Sequence, residues 1–422
     1  MRAALATALL VVSGLVPLAA AAEPAAATTG TIRFATFNSS LNRASQGELL
    51  RDLATPGNRQ AAAVAEIVQR VRPDVLLLQE FDHDAGGAAL AAFQSNYLGR
   101  SQNGQAPIHF EYHWLDASNT GMPSGFDLDQ DGRVAGGGDA LGFGEFPGQY
   151  AMVLLSRFPI DAGAVRTFRR FLWRDMPGAR LPDDPRTPEP RDWYTAQELA
   201  ALPLSSKNHA DVPVRIGGRT IHLLISHPTP PTFDGTEDRN GLRNHDEIRF
   251  WRDYLVRGKF SYMRDDRGRR GGFRGTDFLV MGDLNSDPVD GDSLKEGIRG
   301  LLALPSIDGT HAPGSDGAVE ASGLQGGANA THRGEARTDT ADFSDRVAGN
   351  LRADYLLPSR TLSVCAAGVF WPRRDEAAAA LVWGQPPPSS DHRLVWLDLN
   401  AGAARCPPGN DPTASDSSRP GH

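Results

Sequence analysis

The chain has 422 residues, 40% of them hydrophobic and 22% charged, which excludes a disordered or fibrous protein and leaves ample apolar material for a large core. A formal net charge of -8 argues against a broad electropositive footprint for nucleic acid, while leaving room for a local basic site. The only cysteines, Cys365 and Cys406, exclude a disulfide-dense scaffold but can pair in an oxidising compartment and tie the C-terminal region to the body.

Met1-Arg2, the apolar run of residues 3–16 and the small residues ending in Ala20-Ala21-Ala22 have the layout of a secretory signal peptide over residues 1–22. Export, to the extracellular space or a periplasm, is therefore expected. Nothing later in the chain is long and apolar enough to span a bilayer. Residues 31–39 alternate apolar and polar side chains as a half-buried strand does, ending in a polar tip at Asn38. Asn58 then caps a helix over residues 58–72, with Val64, Ile67, Val68 and Val71 on one stripe. Pro73-Asp74 stops it, and the apolar strand Val75-Leu76-Leu77-Leu78 runs out into Gln79-Glu80.

Residues 101–148 are Gly-rich and polar, too long for a simple connection. Within them Asp127, Asp129, Asp131 and Gly132 have the spacing of a calcium loop, in which alternating carboxylates converge on one ion. The twelfth position is Gly138 where an EF-hand has Glu, and Asp139 follows. A loop-stabilising Ca²⁺ site, without EF-hand helices, is the expectation. Tyr150 opens another apolar strand over residues 150–155, closed by Ser156-Arg157-Phe158-Pro159. Residues 168–203 read as a surface excursion. Lys207 and His209 then stand beside a hairpin of residues 212–216 and 220–226, joined at Gly217-Gly218, where both can face a phosphate. The second strand ends at Ser226-His227-Pro228, which presents a histidine at a rigid corner. A helix is predicted over residues 245–256, followed by a basic, Gly-containing loop over residues 257–274.

The apolar run from Phe278 ends in Met281-Gly282-Asp283-Leu284-Asn285, where Gly282 is expected to permit a tight turn and Asp283 and Asn285 project two residues apart. Residues 308–350 form a third Gly- and Asp-rich insertion. Asp354 leads a short strand, and Ser389-Ser390-Asp391-His392 leads into the last one, over residues 394–399. Residues 31–400 show neither an internal repeat nor a boundary between two domains. The tail, residues 401–422, is expected to be disordered apart from Cys406.

Strand ends thus offer Asn38, Glu80, His227, Asp283, Asn285, Asp354, Asp391 and His392. Carboxylates and amides around two histidines are what metal-dependent phosphoester hydrolysis needs. A hard cation, Mg²⁺ or Mn²⁺, takes oxygen ligands and polarises the phosphoryl oxygen, and histidines move protons.

The ordered set Thr36-Phe37-Asn38, Leu78-Gln79-Glu80, Leu155 to Pro159, Ser226-His227, Gly282-Asp283-Leu284-Asn285, Asp354-Tyr355 and Ser390-Asp391-His392 resembles the endonuclease/exonuclease/phosphatase superfamily, the deoxyribonuclease-like fold. It covers nearly the whole body. The resemblance implies a four-layered α/β sandwich, with two mostly antiparallel sheets face to face, helices outside and a site at one end. It also implies that Glu80 is the principal metal ligand, assisted by Asn38 and Asp391. Asp283 would bind or deprotonate the nucleophilic water, and Asn285 would hold the phosphoryl group. His392, oriented by Asp354, would act as acid/base, His227 would contact a phosphate oxygen or the leaving group, and Tyr150 would be a further phosphate contact. Superfamily members cleave nucleic acids, inositol phosphates and phospholipids, so the expected partner is a phosphoester substrate of open identity, handled by a monomer. Nucleic acid is one alternative, and a non-catalytic calcium-binding surface protein on the same scaffold is another.

Overall fold

The computed structural model describes residues 30–258, 260–400 and Cys406. The expected signal peptide and all of the expected tail except Cys406 lie outside the described residues. Strands β1 (Thr31–Asn38), β2 (Val75–Gln79), β3 (Tyr112–Leu115) and β4 (Met152–Ser156) open the chain. They are followed by β5 (Arg166–Thr167), β6 (His209–Ile216), β7 (Arg219–Ser226), β8 (Asp277–Asp283), β9 (Ala341–Asp342) and β10 (Asn350–Leu351). The last three are β11 (Asp354–Pro358), β12 (Ser363–Val369) and β13 (Val395–Asn400). One sheet has the order β12-β13-β1-β2-β4-β3 and the other β11-β8-β7-β6-β5, while β9 and β10 form a small ribbon. Each large sheet is antiparallel except for one pair, β1–β2 in the first and β7–β8 in the second.

The period of two along each strand sorts side chains between layers. In β8, Leu279 and Met281 join the core shared with β1, β2 and β4, whereas Phe278 and Val280 join a second core. There they meet Ile248 and Trp251 of helix α5 (Arg239–Leu255) and Ile298 and Leu301 of α6 (Lys295–Leu302). On the other side, Val64, Ile67 and Val68 of α2 (Arg59–Val71) pack in the same core as Phe34 and Leu76. Helices therefore cover both outer faces, and each such buried side chain contributes about 1.5–3 kcal/mol. Short helices α1 (Glu48–Leu53), α3 (Ala88–Phe93), α4 (Ala196–Ala201) and α7 (Asp316–Gln325) complete the set among the described residues.

Most local expectations meet their elements. Asn58 is the N-cap of α2 and its side chain accepts from Ala61 N at 2.9 Å. Gly217 and Gly218 both have positive φ, 55° and 83°, and close the β6–β7 hairpin with Ile216 opposite Arg219. Cys365, at a bulge in the sheet-edge strand β12, is disulfide-bonded to Cys406. Helix α5 starts six residues before the predicted residue 245. The buried residues of that opening, residues 239–244, are Gly241, Arg243 and Asn244, so no apolar stripe marks it.

Gly282 does not make a turn; it lies inside β8 at φ +147°. A Cβ there would come within 2.0 Å of the Ser226 carbonyl oxygen, so the glycine allows β7 and β8 to close up just before their functional ends. A Gly282→Ala variant is expected to lose on the order of 1–3 kcal/mol of stability through overpacking. The readout is a lower urea midpoint at constant m, and an unchanged midpoint would show that the close approach constrains nothing.

Candidate active site

Strand registers bring the expected residues to one end of both sheets. Asn38 is level with Gln79, which is level with Met152, so the exits of β1 and β2 lie beside the entry of β4. In the second sheet Asp354 is opposite Asp283, and His209 is opposite Ser226. Four non-glycine residues at these ends, Ser40, Glu80, Tyr150 and Asn285, have left-handed backbones with φ between 48° and 56°. Such conformations are held by their surroundings and concentrate where a side chain must be aimed. For Tyr150 the holder is Asp82, whose carboxylate accepts from Tyr150 N at 3.2 Å and Arg43 N at 2.7 Å. Burial pushes the Asp82 carboxyl up to about 7.

Asp283 is the hub. Its Oδ2 accepts from Asn38 Nδ2 at 3.0 Å and lies 3.4 Å from His227 Nε2 and 3.6 Å from His392 Nε2. Its Oδ1 accepts from the backbone N–H of Asn285 at 2.9 Å, an Asx turn that fixes both side chains. On the far side of the imidazole, His392 Nδ1 is 2.8 Å from Asp354 Oδ2, which also accepts from Thr340 Oγ1 at 2.8 Å. The ring edge of Phe343 closes over His392, with centroids 5.2 Å apart.

These contacts separate the two histidines electrically. Burial acts to lower His392, but the Asp354 and Asp283 carboxylates outweigh it and hold the imidazolium form well above the ordinary histidine range. His227 is driven well below that range by burial, then by Lys207 and His392, and its buried Nδ1 has no hydrogen-bond partner. Asp283 is raised to about 7, chiefly by burial. A carboxylate poised as a base therefore sits between a protonated and a neutral histidine.

Glu80 faces the same point. Its Oε1 accepts from Asn38 Nδ2 at 3.0 Å and its Oε2 from Asn42 Nδ2 at 2.9 Å. Although part of its surface opens to the cleft, protein surrounds it, and burial raises its pKa, with Asp391 adding to the rise. Asp391 Oδ1 accepts from Ser40 Oγ at 3.2 Å. By donor type, the carboxylates of Glu80, Asp391 and Asp283 are what a hard divalent cation takes, and such a charge would relieve the excess of buried negative charge. Asn38 presents its amide nitrogen to both carboxylates, and as a ligand it would have to turn its oxygen inward. The His/Asp/Glu donors close enough to hold one ion at this end are Asp283, Asp354 and His392, and neither Glu80 nor Asp391 belongs to that tight set.

Lys207 reaches the site. It is buried, its Nζ is 3.4 Å from the Pro228 carbonyl oxygen, and Asn285 Nδ2 donates to that same oxygen at 3.2 Å. His209 does not face a phosphate: Ser205 Oγ and Glu247 O occupy its ring nitrogens at 2.9 Å each, and its ring packs on Phe250 and Trp251. Tyr150 is half-buried beside Glu80, which helps to raise the phenol's pKa after burial itself. In the acidic loop, Asp127 and Asp129 are joined by Asp139, their carboxylate oxygens lying within 4.8 Å of one another. Asp131 turns instead to the Arg133 N–H at 2.8 Å. Most of the basic loop is engaged at home: Arg269 with Asp265, Arg267 with Gly163 O and Arg257 with Gly275 O.

The endonuclease/exonuclease/phosphatase family matches residues 35–392. The chain belongs to that family. This endonuclease/exonuclease/phosphatase protein is accordingly a hydrolase of phosphoester bonds, from a superfamily of metal-dependent phosphoesterases and nucleases. It is similar in fold to an endonuclease/exonuclease/phosphatase from Beutenbergia cavernae, with 17% identity over 89% of this chain and 72% of that one and a TM-score of 0.46. A family protein from Leptotrichia buccalis gives 14%, 88%, 100% and 0.42, and sphingomyelinase C from Streptomyces griseocarneus 16%, 88%, 100% and 0.40, in the same order. No curated protein matches the chain.

Asn42 and Thr340, which hold Glu80 and Asp354, were not anticipated: Asn42 lies in an unpatterned loop and Thr340 in a long insertion. Nor was the clamp beneath the site. Glu247 of α5, fully buried, accepts from Ser206 N at 2.7 Å, Ser206 Oγ at 3.0 Å and Thr229 N at 2.6 Å, joining the Lys207 segment to the His227 corner. Glu247→Gln turns an amide NH₂ onto one of these donors, and is expected to cost about 1–3 kcal/mol of stability. Thermal unfolding measures it, and wild-type stability would remove Glu247 from this role.

Proposed function

We propose that this protein is an exported, Mg²⁺-dependent phosphodiesterase or phosphatase. Its nucleophilic water is activated at Asp283, and His392, oriented by Asp354, stabilises and protonates the leaving oxygen. The observation that carries this reading is the convergence of Asn38, His227 and His392 on one oxygen of Asp283, with Asp354 behind His392. Asp283, held near neutrality by burial, accepts the proton of the attacking water. Asn285 Nδ2 and Lys207 Nζ, which share Pro228 O, donate to the phosphoryl oxygens, and the neutral His227 positions a further oxygen. His392 enters the reaction already protonated and Asp354 keeps its proton-bearing Nε2 turned toward the cleft. Glu80 and Asp391, with Asn38 turned, would hold the cation, which when bound polarises a phosphoryl oxygen as a Lewis acid. The disulfide supports an oxidising compartment.

The same geometry weighs against a non-catalytic surface protein. The home contacts of the basic loop weigh against a nuclease that tracks a strand with it.

Purified protein is expected to hydrolyse bis(p-nitrophenyl) phosphate with Mg²⁺ or Mn²⁺ and to stop in chelator. Asp283→Asn and His392→Ala should each lower kcat by about 10²–10⁴-fold with folding unchanged. Turnover that survives both substitutions sinks the assignment. A panel of DNA, RNA, inositol phosphates, sugar phosphates and phospholipids then ranks the substrates.

Removing the Asp354 charge lowers the His392 pKa, so Asp354→Asn should move the alkaline limb of the kcat profile to lower pH. The acid limb, set by Asp283, should stay or move down as a neighbouring negative charge is lost. An alkaline limb that stays in place would show that it does not report His392.

We also propose a structural Ca²⁺ site at Asp127, Asp129 and Asp139, favoured by their convergence. Calcium should raise the Tm of wild type and of Asp131→Ala but not of Asp139→Ala. An equal gain in all three places the ion elsewhere.

A further inference from the structure

A groove of about 1030 Å³ opens from Ser40 and Asp391 and runs between the first turn of α2 and the loop that joins β9 to β10. It carries two arginines on separate elements, Arg59 from α2 and Arg346 from the loop. Both are exposed, and no hydrogen bond or ion pair among the described residues engages either guanidinium. The carboxylates along the same walls are committed. Asp342 takes Arg393 at 2.9 Å and Gln325 at 2.7 Å, Asp345 takes Asn329 Nδ2 at 3.3 Å, and Asp391 belongs to the candidate cation edge.

Arg59 is also placed against its own helix. The first turn of α2 holds no acidic residue, and a cation at the positive end of a helix dipole is unfavourable unless an anion comes to it. A local rule broken beside a catalytic cleft is where a function is to be sought. Phe343 connects the two regions, since it lines the groove and its ring also closes over His392.

We propose that this groove takes a second phosphate of the substrate, held between Arg59 and Arg346, while the scissile phosphate lies at Asp283 and Asn285. The inference rests on the reading of the site as a phosphoester hydrolase and narrows its substrates to molecules with two phosphate groups. Guanidinium forks match phosphate oxygens in pairs, so two of them on separate elements select a doubly charged group over a neutral alcohol or sugar. A nucleotide strand and a multiply phosphorylated polyol share this chemistry.

Two matched pairs separate those sources: a dinucleotide with and without a terminal phosphate, and inositol bisphosphate against inositol monophosphate. In at least one pair the second phosphate should raise kcat/KM about 10-fold or more, mainly through KM. The Arg59→Ala/Arg346→Ala double variant should erase that preference while turning over bis(p-nitrophenyl) phosphate within about twofold of wild type. Absence of a preference in both pairs, or a preference that survives in the double variant, overturns the proposal. A third arm reads the groove without turnover: inorganic pyrophosphate, titrated onto the full protein in chelator, should raise the Tm of wild type and not of the double variant. If no phosphoester is hydrolysed but this arginine-dependent shift is present, the hydrolase reading fails and the groove stands. If the shift is absent or independent of the arginines, the groove fails whatever the enzyme cleaves.

Discussion

One carboxylate oxygen organises the functional end of this protein. Asp283 Oδ2 is approached by an amide and two imidazoles that come from β1, from the corner after β7 and from the segment before β13. Away from bulk water each of these contacts is stronger than it would be at a surface, and an unmatched one would be correspondingly costly. Small shifts of any one strand end would therefore disturb all the others. The registers of both sheets serve that demand: Asp354 is level with Asp283, and the exits of β1 and β2 are level with the entry of β4.

The strain at this end is consistent with it. Ser40, Glu80, Tyr150 and Asn285 hold left-handed backbones that cost of order 1–3 kcal/mol each where the side chain gives no relief. They are supported by contacts that do nothing else visible, such as Asp82 beneath Tyr150 and Asn244, whose Nδ2 donates to Thr229 O at 2.8 Å and Leu284 O at 3.0 Å. Helix α5 is thus two objects in one. Its first half is a polar clamp on the loops that carry the site, and its second half is an ordinary apolar helix in the core.

That division explains what could be read from the sequence. The strands around the site were legible because each is an apolar run that stops at a polar residue, and Asn58 and Gly217-Gly218 announce their cap and turn by chemistry confined to a few residues. The opening of α5, residues 239–244, is not, because its buried residues are Gly241, Arg243 and Asn244, which carry no hydrophobic period. Gly282 reads locally as a turn former, whereas the demand for a glycine there comes from the Ser226 carbonyl of a strand distant in sequence. His209 and Lys207 stand two residues apart beside one strand, and only packing decides that one is wedged among aromatic rings while the other points its ammonium at the cleft. Asp139 brings its carboxylate to those of Asp127 and Asp129 because the loop folds back on itself, which spacing along the chain does not encode.

The bond from Cys365 to Cys406 has a consequence at the opposite margin of the first sheet. β12 is the outermost strand there, and an unpaired row of backbone donors and acceptors invites a strand from another chain. The bulge at Cys365 breaks the regularity of that row, and the covalent tether lays Cys406 against it, with Sγ 3.5 Å from the Val364 carbonyl oxygen. The bulge and the bonded Cys406 together leave this stretch of the edge a poorer template for a further strand than a flat, open row of backbone groups would be.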